Sequence, residues 1–426
     1  MPFLSEAAPQ RQFQHVIHDP SDAVWIADAA GLEDVIERLL LEPAYAIDTE
    51  FLRERTYFPR LALVQIAWPT GLVLIDPLAV DLGPFRQVLE SDVIAVFHAA
   101  DQDLEVLEYA CGTVPRRLFD TQLAAGFVGF STPSLSTLAE RIMKVKLSKG
   151  DRLTDWTQRP LTTAQKSYAA SDVIYLLAMR DEIGEQLDAA GRSTWVEEES
   201  EILRTRPRGQ SYAERAWWRL KDGRVLRGKD RFVAQELCAW RERRAQTDDK
   251  PVRFVLPDLA VLSIAQAKPT TFAELSATRG IDGRYLKSGA GNEILQAIER
   301  AGELPATALQ LPEPEDFDKR LRPALTLVSA WVSQLARDAK IDASLLATRS
   351  DLISFLRSDD DARLSRGWRG ALMGDAVRQL VSGEAALAFA RDGSLNLEHR
   401  SNRPLSVDLA VPTADWVLDA PDPNGA

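Results

Sequence analysis

Short apolar runs and amphipathic stretches alternate along the first half of the chain. Four runs rich in valine, isoleucine and leucine lie at residues 44–49, 61–67, 72–75 and 93–97. Runs of this length and composition predict strands of a largely buried sheet. Helical patterns separate and follow them at 31–41, 84–90, 101–110, 120–128, 135–142 and 163–182. The alternation predicts an α/β domain that ends near residue 205.

Beyond this point the strand signal largely disappears and helical patterns dominate. Residues 204–210 combine proline, glycine and charge, which is typical of a linker. A second break at 303–323 holds four prolines and an acidic run, and it predicts two helical bundles that form a weak internal repeat. The predicted division is an N-terminal extension at 1–22, the α/β domain at 23–205, all-helical domains at 211–302 and 317–395, and a tail at 396–426.

The composition is that of an ordinary folded protein. The chain has 426 residues, of which 45% are hydrophobic and 27% charged, and this excludes collagen-like, mucin-like and wholly disordered chains. Two cysteines, Cys111 and Cys238, are too few for a disulfide framework, which indicates a reducing compartment. They also lack the CxxC spacing that is typical of a zinc site. Neither a secretion signal nor a membrane-spanning run is visible, so we expect a cytoplasmic protein with no membrane partner.

The net charge of −12 argues against a nucleic-acid partner, but its distribution changes that picture. Residues 204–253 hold fifteen Lys and Arg against seven Asp and Glu, a local charge of +8. Such a block predicts a surface for phosphates, or else an ordinary solvated helix face. Trp217, Trp218 and Trp240 lie among these cations, and core packing is the favoured interpretation over base stacking. The candidate phosphate contacts are Arg219, Lys221, Arg224, Arg227 and Lys229.

The segment IDTEF at 47–51 carries the first chemical signal. Asp48 and Glu50 lie two residues apart at the end of an apolar run, so strand alternation puts both carboxylates on one face. A buried pair of this kind is costly without positive charge, and two divalent ions about 3.5–4 Å apart are a common way to satisfy it. A solvated strand end is the alternative.

A second signal lies at 96–110, where a predicted strand runs into a helix. Its first turn carries Asp101, Asp103 and Glu105. Acidic residues there stabilise a helix through its dipole, so capping explains at least one of them without catalysis. Spacing alone does not decide which aspartate has a chemical role.

The third signal is the segment 161–183. Thr162 and Gln165 have the spacing of a capping box and predict a helix start. Tyr168 and Asp172 are four residues apart and therefore share one helix face. Such a pair is usually structural in isolation, and its significance comes from the order of the three segments.

Taken in that order, IDTEF, HAADQDLEVL followed by DTQLAA, and TDWTQRPLTTAQKSYAASD resemble the three exonuclease motifs of the ribonuclease D family. The resemblance covers about residues 25–205 and implies an α/β, RNase H-like (DnaQ-like exonuclease) mixed-sheet domain. Residues 212–301 resemble the helicase-and-RNase-D C-terminal (HRDC) module, and 317–392 resemble it more weakly. The implied fold is therefore the mixed-sheet domain followed by two all-α HRDC-like helical bundles.

The resemblance also implies a set of catalytic residues. The family's metal-binding aspartate in the second motif lies five residues after His98, which selects Asp103 and makes Asp101 a non-ligand. Tyr168 places the chain in the tyrosine subgroup, since Ser167 stands where the histidine subgroup has its base. Tyr168 would orient the attacking water. Two Mg²⁺ or Mn²⁺ ions would be held by Asp48, Glu50, Asp103 and Asp172.

The function that follows from the resemblance is a 3′→5′ exoribonuclease releasing nucleoside 5′-monophosphates. Its expected partners are RNAs such as tRNA precursors with single-stranded 3′ ends, with no obligatory protein partner. Phe51, Trp156 and Arg159 are further candidates for nucleic-acid contact, although buried or solvated structural roles compete with this interpretation. A DNA-directed 3′–5′ exonuclease and a non-catalytic RNA-binding protein are the two alternatives.

Overall fold

A six-stranded mixed sheet forms the centre of the computed structural model, which describes residues 17–147, 154–209, 212–312 and 318–401. The strands are β1 (Val24–Ile26), β2 (Ala44–Leu52), β3 (Arg60–Trp68), β4 (Gly71–Ile75), β5 (Ile94–Phe97) and β6 (Arg117–Asp120). Their order across the sheet is β1-β4-β3-β2-β5-β6. β3 runs antiparallel to β2 and β4, while the pairs β1–β4, β2–β5 and β5–β6 are parallel.

Helices surround the sheet and build the rest of the described chain. In the α/β domain they are α1 (Ala29–Leu39), α2 (Arg86–Leu89), α3 (Asp101–Cys111), α4 (Thr121–Gly126), α5 (Leu135–Leu138), α6 (Thr163–Ser171), α7 (Leu176–Ala189) and α8 (Ser193–Thr205). Next come α9 (Lys229–Asp248), α10 (Val252–Val255), α11 (Asp258–Ala267), α12 (Phe272–Ser276) and α13 (Ala290–Glu303). The last are α14 (Arg322–Ala339), α15 (Ala343–Leu346), α16 (Arg349–Leu356), α17 (Gly367–Arg369) and α18 (Asp375–Ser382). None of these described helices is long and apolar enough to cross a bilayer.

The four predicted strands are all present, and the predicted capping box forms at Thr162 and Gln165. The single helix predicted over 163–182 is wrong, because a turn at residues 172–175 interrupts it and the chain forms α6 and α7 instead. The break places Asp172 at the C-terminal end of α6. The edge strands β1 and β6 were not predicted, since β1 has only 3 residues and β6 (RLFD) begins and ends with a charged residue.

Strand alternation divides the core into two layers. Ala44 and Ala46 of β2 face the layer that contains α4 and α7, whereas Tyr45 and Ile47 face the layer that contains α1 and α3. The even-numbered face of β2 continues through residues 48 and 50. Both carboxylates of the first motif therefore point toward the α4 and α7 layer, as strand alternation predicted.

Residues 212–312, here called the first helical unit, have a hydrophobic core of their own. The unit contacts the α/β domain through the turn between β2 and β3. The Tyr57 hydroxyl donates to Glu242 at 2.6 Å, and the backbone N–H groups of Tyr57 and Phe58 both donate to Asp249 at 3.0 Å. Glu242 of α9 and Asp249, which directly follows α9, thus hold the turn between β2 and β3.

Residues 318–401, the second helical unit, differ from the predicted separate bundle. Their apolar side chains share one core with the sheet and α7, and Trp368 stacks on Trp195 of α8 at 4.9 Å between ring centroids. The sequence pattern shows which face of a helix is apolar but not which surface covers it, so this fusion was not predicted.

The second helical unit is also not all-helical. It ends in an antiparallel hairpin of β7 (Ala385–Phe389) and β8 (Leu395–His399). The hairpin crosses the boundary predicted at 395–396, because Leu387 and Leu397 pack against the shared core. Of the predicted tail, residues 402–426 lie outside the described part of the chain, as do residues 1–16 of the predicted extension.

Candidate active site

Asp48 and Glu50 lie on one face of β2, near the point where its pairing with β3 changes register. The pairing is regular through Asp48, opposite Gln65, and Glu50, opposite Leu63, and shifts between Glu50 and Phe51. A bulge of this kind bends the strand and increases its local twist. The two carboxylates therefore sit where the strand turns away from the flat part of the sheet.

Asp172 completes a compact acidic cluster with these two residues. Carboxylate oxygens of Asp48, Glu50 and Asp172 all lie within 4.8 Å of one another. The Tyr168 hydroxyl donates a hydrogen bond to the Asp172 carboxylate from one turn earlier in α6. The structure thus brings together five of the sequence-predicted positions once Asp103 is added to the cluster.

Asp103 lies on the first turn of α3 and is buried beside the cluster. Its Oδ1 accepts from the Thr49 backbone N–H at 3.1 Å and from the Thr49 hydroxyl at 2.5 Å. Thr49 lies between the two motif carboxylates, so one residue of IDTEF fixes the orientation of a residue 54 positions later. Only its place inside the IDTEF motif marks Thr49 in the sequence.

Within the described part of the chain, the cluster consists of crowded carboxylates whose pKa values are not lowered by any lysine or arginine. Burial, and then repulsion from Asp103, Asp172 and Glu50, raises the pKa of Asp48 well above its usual range. Burial and repulsion from Asp172 and Asp103 raise the pKa of Glu50 to about 8. Burial raises the pKa of Asp103 and of Asp172 to about 7 in each case.

Among the described residues, those that line the surrounding cleft include no cation that could relieve this repulsion. Its volume is about 700 Å³, within the range of ligand-binding pockets. The described residues that line it include six carboxylates and no lysine or arginine; the acids are Asp48, Glu50, Asp101, Asp103, Asp120 and Asp342. Carboxylate oxygens are hard ligands that suit Mg²⁺ and Mn²⁺. The donor set therefore fits divalent metal ions, which would supply the missing positive charge.

Asp101, two positions before Asp103, points to a different partner. Its exposed carboxylate pairs with Arg206 at 3.4 Å and lies 3.9 Å from Arg208, both in the segment that follows α8. The two aspartates of one helix turn therefore have different environments. Spacing left this choice open, whereas the resemblance selected Asp103.

Asp120 and His98 support the start of α3. The Asp120 carboxylate accepts from the backbone N–H groups of Ala99, Ala100, Gln122 and Leu123, and so clamps the β5–α3 turn to the start of α4. Thr121 donates its hydroxyl proton to the Phe97 carbonyl, so it accepts from His98 Nδ1 at 2.9 Å. These contacts favour a structural role for His98.

The structure argues against two of the predicted nucleic-acid contacts. Trp156 is 8% exposed and stacks on Tyr168 with 6.2 Å between ring centroids. Arg159 donates to both carboxylate oxygens of Asp76 and to the Ala62 carbonyl, each at 2.7 Å. Both side chains therefore make packing or hydrogen-bond contacts within the protein. Phe51 lines the cleft and stays a candidate for contact with a terminal base.

The predicted cations of the first helical unit lie on its surface, as Arg219, Lys221, Arg224, Arg227 and Lys229 are all exposed. Arg219 pairs with Glu242 at 3.3 Å, and Arg227 donates to the Leu226 carbonyl. Trp217 and Trp240 are core residues, whereas Trp218 is 38% exposed. Core packing is thus the correct interpretation for two of the three tryptophans, and phosphate binding by the cations remains a prediction.

The raised pKa of Glu50 predicts a pH-dependent cost of folding. A carboxyl group with a folded pKa of about 8 against 4.5 binds more protons in the folded state between these values. The free energy of unfolding therefore falls as pH rises through this interval. We expect the EDTA-treated protein to lose more stability between pH 5 and pH 8 than its Glu50→Gln variant, measured by urea denaturation. Equal losses in the two proteins would contradict this prediction.

Comparison with known proteins extends the sequence resemblance. A family model described as 3′-5′ exonuclease matches residues 23–188, and the HRDC domain model matches 231–298. A ribonuclease D of Nitrobacter hamburgensis is 36% identical over 381 residues, which is 88% of this chain and 99% of that protein. One from a Jannaschia species is 38% identical over 364 residues, covering 82% and 93%.

A solved structure gives the same match in three dimensions. The crystal structure of Escherichia coli RNase D, described as an exoribonuclease involved in structured RNA processing, superposes with a TM-score of 0.76. The sequences are 31% identical, and the match covers 85% of this chain and 99% of that one.

Proposed function

Because this chain belongs to the ribonuclease D family of 3′–5′ exoribonucleases, we propose that it trims the 3′ ends of structured RNAs such as tRNA precursors. The proposed products are nucleoside 5′-monophosphates. The observation that carries the proposal is the carboxylate cluster of Asp48, Glu50 and Asp172, with Asp103 held beside it by Thr49. The processing of structured RNA described for the Escherichia coli protein supports this substrate class.

We propose that the four carboxylates hold two divalent metal ions, Mg²⁺ or Mn²⁺. When bound, such ions lower the pKa of a water and stabilise the leaving 3′ oxygen. Thr49 orients Asp103 through two hydrogen bonds. Burial raises the pKa of all four carboxylates, which supports a site that binds positive charge.

Tyr168 is proposed to orient the attacking water. Its hydroxyl already donates to Asp172, and Trp156 packs against its ring. A phenol with an ordinary pKa near 10 is a poor base at neutral pH, so positioning is the role that its chemistry allows. Attack on the last phosphodiester would release the terminal nucleotide and leave a new 3′ hydroxyl.

The identity of the products tests this proposal. We expect a uniformly labelled RNA with a single-stranded 3′ tail to yield nucleoside 5′-monophosphates by thin-layer chromatography. A tRNA precursor with a 3′ extension is expected to be shortened only in that extension. Release of nucleoside 3′-monophosphates, or of fragments from within the RNA, would contradict the proposal.

The exposed cations of the first helical unit are proposed to contact RNA phosphates. Lys221, Arg224 and Lys229 are exposed, and each phosphate contact with a single strand contributes about −0.7 to the slope of log K against log salt concentration. Replacing all three with alanine is therefore expected to flatten that slope by about 2, measured by RNA binding at several salt concentrations. Alanine at the exposed Lys319, Arg320 and Arg322 is the control with the same change in net charge. An equal flattening in both triple variants would show that only net charge matters.

The domain boundaries follow the sequence prediction except at the end of the second helical unit. We propose 23–205 for the exonuclease domain and 211–302 for the first HRDC domain. The second HRDC-like unit, proposed from 317, is extended through β8 to residue 399, because the hairpin packs on the shared core.

A further inference from the structure

Gln65 is a fully buried polar residue whose amide has no partner. It lies in the middle of β3 and is 0% exposed. Neither the oxygen nor the nitrogen of its amide makes a hydrogen bond with the described residues. A buried amide without a partner destabilises a fold, whereas an apolar side chain of similar shape would not. The position therefore calls for a reason other than packing.

The sheet register places Gln65 directly beside the acidic cluster. Gln65 is the cross-strand partner of Asp48 on β2, and such pairs have Cβ atoms about 4.5–5.5 Å apart on the same face. On its other side its partner is Leu74 of β4. Along β3 its neighbours on that face are Leu63 and Ala67. Asp48 is the one polar residue among these four neighbours.

An amide has the right chemistry to support a metal-binding carboxylate. Carboxylate ligands are usually oriented by a second hydrogen bond from a residue that does not touch the metal. A lysine or arginine in this place would compete with the ion for the carboxylates, while an amide N–H adds no charge. Thr49 supplies this support to Asp103, but no hydrogen bond from a side chain of the described residues reaches Asp48.

We propose that Gln65 is a positioning residue for Asp48, whose amide N–H donates to the ionised Asp48 carboxylate and fixes which oxygen faces the cleft. This inference rests on the proposed function, since it requires Asp48 to be an ionised ligand.

The test compares two buried glutamines in the full-length protein. Gln65→Met keeps the length of the side chain and removes the amide. The control is Gln235→Met in the first helical unit, where the buried amide donates to the Ala308 carbonyl at 3.0 Å and accepts from the Gln310 N–H at 2.8 Å. The measurements are Mn²⁺ affinity by isothermal titration, the melting temperature in EDTA, and kcat and KM on a single-stranded RNA.

The two variants are expected to behave in opposite ways. Gln65→Met should weaken Mn²⁺ binding and lower kcat by roughly 10- to 100-fold, as is usual for residues that orient a metal ligand, with little change in KM. Its melting temperature in EDTA should equal or exceed that of the wild type, because an unpaired amide is lost. Gln235→Met should melt at a lower temperature and keep its Mn²⁺ affinity and kcat.

The outcome that overturns the inference is a Gln65→Met protein with wild-type Mn²⁺ affinity and kcat, which would make Gln65 a packing residue. Gln65→Leu serves in the same way if the methionine variant does not fold. These results differ from a failure of the proposed function, in which the wild-type protein itself would neither bind Mn²⁺ nor shorten RNA, and both proposals would fall.

Discussion

Replacing Asp103 with asparagine is expected to lower kcat by at least about a thousandfold, because the charge stabilisation of a metal site is worth several kcal/mol and each 1.36 kcal/mol is a factor of ten. Asparagine keeps the shape of the side chain and can still accept from Thr49. The fold should therefore survive, and the metal-free variant should be at least as stable as the wild type, since one buried carboxylate that repels its neighbours is lost.

Asp101→Asn is the matched control on the same helix turn. Its carboxylate is exposed and pairs with Arg206, outside the acidic cluster, so its loss should leave kcat close to the wild-type value. Single-turnover assays at saturating Mg²⁺ compare the two variants. Full activity in Asp103→Asn, or an equal loss in Asp101→Asn, would show that the wrong aspartate had been assigned.

Replacing Glu199 with alanine is expected to destabilise the protein by about 3–5 kcal/mol, the usual result of removing one partner from a buried ion pair. Glu199 lies on α8 and is 6% exposed, and Arg369 of the second helical unit is 2% exposed. Arg369, Arg363 and the indole of Trp368 all donate to this one carboxylate. The substitution would leave the buried Arg369 without its counter-charge at the junction between the two parts.

Urea denaturation measures this effect, and Glu201→Ala is the control. Glu201 lies on the same helix and pairs with Arg204 at 2.6 Å, but the pair is more exposed and is expected to contribute within about 1 kcal/mol. If the second helical unit were an independent bundle, the two substitutions would have similar small effects. If the second helical unit of Glu199→Ala unfolded alone at a low urea concentration, this would further show that the Glu199 carboxylate holds that unit in place.

The central part of the fold could be predicted because its strands contain uninterrupted apolar runs. Residues 61–67 and 72–75 have no polar pattern that competes with a buried strand, apart from Gln65. The short strands β1 and β6 could not be found in this way, and the break after Ser171 interrupts a pattern that looks helical throughout. In both places tertiary packing decides the conformation.

In the site, too, local sequence patterns could be predicted, whereas contacts between distant residues could not. Strand alternation placed Asp48 and Glu50 on one face, and the helix repeat placed Tyr168 and Asp172 together. The choice of Asp103 came from the resemblance. The packing of Trp156 and the ion pair of Arg159 could not be predicted, because a tryptophan or arginine in a polar segment gives no sign of a distant partner such as Asp76.

The proposed 3′–5′ exoribonuclease activity is tested most directly with a 5′-labelled RNA that has a single-stranded 3′ tail. The purified protein is incubated with this RNA. Reactions with Mg²⁺ and with EDTA are run beside a DNA of the same sequence. We expect a ladder that shortens from the 3′ end, that disappears in EDTA, and that forms faster on RNA than on DNA. Faster degradation of the DNA, or binding of RNA with no ladder in either Mg²⁺ or Mn²⁺, would contradict it.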